Sequence, residues 1–295
     1  MHRSGFVNII GNPNVGKSTL MNALVGENLS IITSKAQTTR HRIMGIVNGE
    51  DFQIVYSDTP GILKPKYRLQ NAMMDFVKGA LSDADIILYV TDTVEKDTER
   101  NADVLEILKE NQIPVIVIVN KIDISNQKAL EEIVEKWHEL LPKAKIIPTS
   151  AKEKFNLGAI LSNILELLPQ GEPFYPKDTL TDKTLRFFAS EIIREKIMTQ
   201  YNKEIPYCCQ IEIESYKESE NMDRISATIY VARDSQKAIV IGQKGMKIKE
   251  VGRLARLDME EFLQKKVFLE LYVKVLPDWR DSDKELKRFG YRQDQ

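Results

Sequence analysis

From Val7 to Leu168 the chain alternates between two hydrophobic periods. Short apolar runs of strand length are followed by stretches whose apolar residues recur at helical spacing. Phe6-Val7-Asn8-Ile9-Ile10 opens the series and Thr19–Val25 follows with a helical pattern. Ile43–Val47 and Phe52–Tyr56 flank Asn48-Gly49-Glu50-Asp51, a hairpin signal. The pattern then predicts helix Tyr67–Leu81, strand Ile86–Val90, helix Arg100–Glu110, strand Val115–Val119, helix Gln127–Leu140, strand Ile146–Pro148 and helix Leu157–Leu168. In the fifth of these, Ile133, Trp137 and Leu140 or Leu141 form a core-facing stripe. Such alternation predicts an α/β domain with a doubly wound, mostly parallel sheet that binds ligands beyond the C-terminal strand ends. The hairpin makes one edge antiparallel.

Pro169-Gln170-Gly171-Glu172-Pro173-Phe174-Tyr175-Pro176 interrupts the pattern with three prolines and reads as a linker. The expected division is 1–168, linker 169–180, and a second domain over 181–295. Leu185–Gln200 is an amphipathic helix with Phe188, Ile192, Ile193 and Ile197 on one face. Tyr207–Glu214 and Arg224–Ala232 alternate as strands joined by the charged turn Lys217–Asp223. Helix Gln236–Ile241 meets Gly242-Gln243-Lys244-Gly245; a helix from Lys247 to about Lys265 and strand Val267–Val275 close an α+β unit of order αββααβ.

Four motifs fall at predicted strand ends of the first domain. Gly11-Asn12-Pro13-Asn14-Val15-Gly16-Lys17-Ser18 is a complete GxxxxGK[ST] loop, continued by Thr19. Its backbone N–H groups cradle phosphates at a helix N-terminus, Lys17 reaches β/γ oxygens and the Ser18 hydroxyl ligates Mg²⁺. In Asp58-Thr59-Pro60-Gly61, Asp58 can hold the metal through a water, and the Gly61 N–H can touch a γ-phosphate because no Cβ blocks the approach. In Asn120-Lys121-Ile122-Asp123, the Asp123 carboxylate can accept from guanine N1–H and its 2-amino group, which adenine lacks. Thr149-Ser150-Ala151-Lys152 can supply a backbone N–H to guanine O6. Each motif alone could be a turn after a strand; four in this order imply GTP and GDP as ligands and disfavour an ATP-dependent enzyme.

Between these motifs lies a polar, aperiodic segment, Ser30–His41, with the character of a switch loop. It contains Gln37-Thr38-Thr39-Arg40-His41, and either Thr38 or Thr39 could ligate Mg²⁺ in the triphosphate state, with Thr39 favoured. The catalytic set is then Lys17, Asn14, Thr39 and Gly61. Ile62 occupies the position where Ras-type enzymes carry a water-orienting glutamine, so unassisted hydrolysis is expected to be slow. Asn14 is a candidate K⁺ ligand, its carboxamide oxygen sharing the ion with phosphate oxygens.

Composition sets bounds. The 295 residues suit two domains, and a net charge of −1 gives no global nucleic-acid signature. Adjacent Cys208 and Cys209 have no metal-ligand spacing and read as one inward and one outward strand residue in a reducing compartment. With neither a leader pattern nor a spanning apolar run, the expected location is the cytoplasm. Basic charge is local. Between Gln236 and Arg256, Lys237, Lys244, Lys247, Lys249, Arg253 and Arg256 oppose only Glu250. A GxxG between helices is the RNA-binding signature of a KH module. The expected RNA site is Ile241, Gly242, Gln243, Lys244, Gly245, Lys247 and Lys249, with Ile248 and Val251 offering apolar contact to bases. The tail Asp278–Tyr291 either extends that contact or is a solvated terminal helix.

The whole chain resembles the Era family of bacterial GTPases, which carry a C-terminal type II KH domain. The resemblance rests on Gly11–Ser18, Gln37–His41, Asp58–Gly61, Asn120–Asp123, Ser190–Lys196 and Val240–Lys249. It implies binding near the 3′ end of small-subunit ribosomal RNA, a role in 30S subunit assembly, peripheral membrane association and use of K⁺; a monomer is the expected state. The alternative is a signalling GTPase whose C-terminal domain recruits a protein.

Overall fold

A computed structural model of the chain describes residues 1–94, 101–110 and 112–292. It divides into two compact units, the main boundary falling between Asp182 and Lys183.

The first unit is built on a six-stranded sheet, β1 (Arg3–Gly11), β2 (Ile43–Asn48), β3 (Phe52–Asp58), β4 (Ile86–Asp92), β5 (Val115–Asn120) and β6 (Lys145–Pro148), in the order β2-β3-β1-β4-β5-β6. Only the β2–β3 pair is antiparallel. The inner strands are apolar without alternation because helices cover both faces, and every residue of β4 is buried. The helices are α1 (Lys17–Val25), α2 (Arg68–Ser82), α3 (Ala102–Glu110), α4 (Gln127–Leu140) and α5 (Leu157–Leu167). The start of the expected helix at Arg100 lies outside the described residues. Asn126 caps α4, its side chain accepting from Ala129 N at 3.0 Å. Trp137 is buried against Tyr89, ring centroids 5.2 Å apart, as the apolar stripe predicts.

Residues 169–182, expected to be mostly linker, lie with the first unit. The Gln53 carboxamide oxygen accepts from Phe174 N and Tyr175 N, and Ile46 N donates to Leu180 O at 2.8 Å. The prolines prevent a helix but leave the segment free to lie along the exposed β2 edge and satisfy its backbone.

The second unit contains α6 (Leu185–Gln200), α7 (Ile205–Cys208), β7 (Gln210–Lys217), β8 (Met222–Val231), α8 (Asp234–Ile241), α9 (Met246–Leu263), β9 (Lys266–Val275) and α10 (Asp283–Arg288). Its sheet order is β7-β8-β9, with β8–β9 parallel. Ile193, Ile197, Val240, Val251, Ala255 and Met259 share its core with the strands. The first strand starts later than the alternation suggests. Pro206 sits at the start of the short helix α7, and Cys208 and Cys209 are both buried rather than facing opposite ways. Nor is the tail a solvated helix. Trp279 is fully buried and donates its indole N–H to Cys208 O at 3.1 Å, while the Tyr291 hydroxyl donates to Gln210 Oε1 at 2.8 Å. Arg288 pairs with Glu212 and lies over the Tyr230 and Phe289 rings.

Candidate functional site

The phosphate loop joins β1 to α1, and its chain reversal relies on left-handed backbone at Asn14 (φ 65°) and Gly16 (φ 96°). Lys17 Nζ donates to Asn12 O at 2.8 Å, which folds its ammonium back over the loop. A cavity of about 390 Å³ opens there, lined by Asn14, Lys17, Ser18, Thr19, Thr39 and Gly61 among others. Val15 is buried on the core side instead.

Three oxygen-bearing side chains converge at its floor. Ser18 Oγ donates to Asp58 Oδ2 at 2.6 Å and lies 2.8 Å from Thr39 Oγ1, which is itself 3.3 Å from Asp58 Oδ2. Thr38 instead donates to Lys35 O at 2.6 Å, so Thr39 is the threonine brought to the cluster. Burial pushes the Asp58 carboxyl above the usual carboxylate range, and its Oδ1 is buried without a hydrogen-bond partner among the described residues. Hard oxygen donors around a desolvated carboxylate suit Mg²⁺, whose charge would offset that burial.

The other residues expected around the phosphates differ in role. A Cβ on Gly61 would lie 2.7 Å from Pro13 Cα and N, so the glycine permits close packing on the phosphate loop itself. Ile62 N donates to Gly11 O at 3.1 Å and holds the same contact. Thr59 is fully buried, its hydroxyl donating to Ile9 O at 2.8 Å, and Pro60 is buried beside it. Arg40 is fully buried, and the His41 ring lies against Phe76 with centroids 6.0 Å apart. Gln37 and Thr38 line the cavity.

A second cavity of about 720 Å³ shares Gly16, Thr19 and Lys121 with the first and is lined by Asn120, Asp123, Ala151 and Lys152. The Asn120 carboxamide joins loops with one N–H and one oxygen lone pair, leaving one of each toward the cavity that it lines. It donates to Val15 O at 2.8 Å and accepts from Ala151 N at 3.0 Å. Lys121 donates to Asn14 O (2.6 Å) and Asp92 Oδ2 (2.7 Å), so this loop too is tied to the phosphate loop. Ser150 Oγ donates to Asp123 Oδ1 at 2.6 Å and orients the carboxylate. Ile122 N donates to Thr149 O at 3.3 Å, a structural contact. Sequence reading missed Asp92, although its place at the C-terminal end of β4 is where such folds put functional groups.

In the second unit, α8 ends at Gly242 (φ 71°, ψ 176°), Lys244 and Gly245 are left-handed, and α9 begins at Met246. Gln243, Lys244, Lys247 and Lys249 are exposed, whereas Ile241 and Gly242 are half-buried. A cavity of about 340 Å³ runs beside α9, lined by Ile248, Lys249, Gly252, Arg253, Arg256 and Leu271 with Leu269. Val251 points the other way and is fully buried in the core, which corrects its assignment as a base contact. The groove's apolar floor comes from β9, at Leu269 and Leu271, positions missed because strand and helix meet only in three dimensions. Arg253 and Arg256 on the rim pair with Glu250 and Glu260.

A phosphate loop, a switch-like threonine and a guanine-type cavity, carried with a GxxG groove on a three-stranded sheet, define a P-loop GTPase joined to a KH module. Residues 6–121 match the family described as 50S ribosome-binding GTPase, and residues 204–280 match the KH domain family. The chain belongs to the Era family of GTPases. It is 43% identical over 295 residues to GTPase Era of Staphylococcus haemolyticus, covering 100% of this chain and 99% of that protein. GTPase Era of Clostridium kluyveri is 42% identical over 293 residues, covering 99% and 100%. A crystal structure of Era with MgGDPNP and nucleotides 1506–1542 of 16S ribosomal RNA superposes with a TM-score of 0.95 at 40% identity, covering 99% of this chain and 100% of that one. A tyrosine-to-alanine variant of Aquifex aeolicus Era bound to GDP·AlF4⁻ gives 0.94 at 40% identity over the same shares.

Proposed function

We propose that this chain is a GTP-hydrolysing switch that binds near the 3′ end of small-subunit ribosomal RNA and acts in assembly of the 30S subunit. One observation carries the reading: a guanine-type cavity and an accessible GxxG groove occur in one chain of a family with a member crystallised on 16S RNA. Backbone N–H groups of Asn14–Ser18 and the Lys17 ammonium hold the β and γ oxygens, the Gly61 N–H meets the γ-phosphate, and Asp123 reads the guanine edge. Ser18, Thr39 and, through a water, Asp58 would hold Mg²⁺, which when bound supplies charge that neutralises the phosphates. Lys244, Lys247 and Lys249 pair RNA phosphates at the glycine turn. The same reading takes the protein as a cytoplasmic monomer with peripheral membrane contact, the latter supported by family resemblance alone; among the described residues no helix is long and apolar enough to cross a membrane.

The test is anisotropy of a labelled single strand with the sequence of the small-subunit 3′ tail. Binding should weaken as salt rises, because phosphate contacts release counterions. Failure to bind that strand in low salt, with both units folded, would favour the protein-recruiting alternative.

Hydrolysis without RNA or ribosomes should proceed at roughly 10⁻³ to 10⁻² per second, because Ile62 cannot orient water. Single-turnover rates above about one per second would contradict this. Replacing Na⁺ by K⁺ should raise the rate about tenfold or more, a fraction of the ~10³–10⁵ an arginine finger contributes. The ion's candidate ligand is the carboxamide oxygen of Asn14, whose Nδ2 donates to Ser34 O at 3.1 Å. In Asn14→Ala the two salts should give the same rate; equal rates in the parent would remove the ion from the mechanism.

A further inference from the structure

The loop that carries Thr39 is fastened at both ends by side chains outside it. At its start, Asn22 of α1 is 7% exposed. Its Oδ1 accepts from Leu29 N (3.1 Å) and Ser30 N (3.0 Å), and its Nδ2 donates to Ser30 O at 2.7 Å. One side chain therefore engages both backbone groups of Ser30, as a neighbouring strand would. At the far end, the Arg42 guanidinium grips Asp83 with both terminal nitrogens (2.6 and 2.9 Å). Its Nε donates to Ser57 Oγ at 2.6 Å and one terminal nitrogen donates to Asn8 Oδ1 at 3.2 Å. Asn8 is fully buried in β1 and donates to Ala80 O and Asp83 Oδ1, which fixes the acceptor in turn. A planar fork held at several atoms sets position more tightly than a point charge.

We infer that Asn22 and Arg42 are positioning residues that confine the nucleotide-dependent ordering of this loop to residues 31–41 and so set the reach of Thr39 to Ser18 and Asp58. The inference rests on the GTP-switch reading above. Ordering a loop costs more when more residues are free at the outset. Releasing either end adds to that cost only in the triphosphate state, because the diphosphate does not call the loop into place. A ligand's preference between two states shifts only through such differential terms.

The full-length protein and its Asn22→Ala, Asn22→Asp and Arg42→Lys variants are compared for affinity toward GDP and a non-hydrolysable GTP analogue in Mg²⁺, with hydrogen exchange across residues 26–45. In the parent, analogue-dependent protection should span 31–41, with Leu29, Ser30 and Ile43 protected in both nucleotide states. Asn22→Ala and Arg42→Lys should lower the ratio of analogue to GDP affinity about 5- to 30-fold, the effect of freeing about one residue. Because Asn22 also lines the base-side cavity, GDP affinity is expected to stay within about twofold only in Arg42→Lys. Asn22→Asp keeps the two acceptor contacts and should fall between; its small change in shape keeps the test usable if Asn22→Ala misfolds. Asp83→Asn combined with Arg42→Lys should be less than additive. Equal loss for both nucleotides, or an unchanged ratio, overturns the inference while the parent's exchange difference keeps the switch reading. Absence of that difference in the parent overturns both.

Discussion

Gly242→Asp is expected to abolish binding of single-stranded RNA, a loss of about 10²-fold or more, while GTP affinity stays within about twofold. The backbone there, φ 71° and ψ 176°, belongs to a region that is essentially glycine-only and costs ~1–3 kcal/mol for other residues. A Cβ would also lie 2.7 Å from Lys247 Cγ, displacing a lysine expected to pair phosphate. The added carboxylate then stands where the sugar-phosphate chain must approach. Lys244→Glu reverses charge on an exposed side chain and separates electrostatics from backbone strain; it should also weaken RNA binding and flatten the salt dependence. RNA affinity equal to the parent's in Gly242→Asp, measured by anisotropy, would show that this turn is not the contact.

Gly16→Ala is expected to lower guanine-nucleotide affinity by about 10²- to 10³-fold, or ~3–4 kcal/mol. The new Cβ would sit 2.2 Å from Asn120 Nδ2, and φ is 96°. Asn120 would have to give up its bonds to Val15 O and Ala151 N, which join the phosphate loop to both base-side loops. Two hydrogen bonds at ~1 kcal/mol each plus backbone strain of ~1–2 kcal/mol account for the size. Fluorescent GDP titration measures it; a loss below about fivefold would mean that the Asn120 bridge does not hold the site together.

The first unit was largely legible because its strands are apolar runs bounded by turn motifs, and α4 coincides with the predicted Gln127–Leu140. Motif residues carry chemistry at fixed spacing, so the two cavities could be anticipated. What the sequence obscured was which way a side chain faces. Val251 and Gly252 are neighbours on α9, yet one is core and the other lines the groove. Thr38 and Thr39 were chemically equivalent until the loop path put one beside Asp58. Asn120 reads as part of the guanine motif, and spacing alone did not show that its carboxamide also joins two loops. Tyr207-Cys208-Cys209 mimics strand alternation, and Pro206 at the first turn of α7 was the signal against it. In the tail, Trp279, Leu286, Phe289 and Tyr291 are the large apolar residues of an otherwise charged stretch, and all four are buried.

The packing of that tail bears on the order in which the chain can acquire structure during synthesis. Strand β8 is central, but its parallel partner β9 is made only after the whole α8–α9 excursion, and Trp279 and Tyr291 follow later still. The first unit, whose contacts end at Asp182, has all of its own chain while more than a third of the protein remains untranslated. At ~5–20 residues per second, the remaining stretch takes roughly 5–20 s. Until the final residues emerge, the carbonyl of Cys208 and the carboxamide of Gln210 lack their indole and phenol donors. A chain that has emerged only as far as about position 276 would therefore display a GTPase unit able to fold, and an RNA-binding unit whose first strand, β7, still lacks the tail that packs over its start.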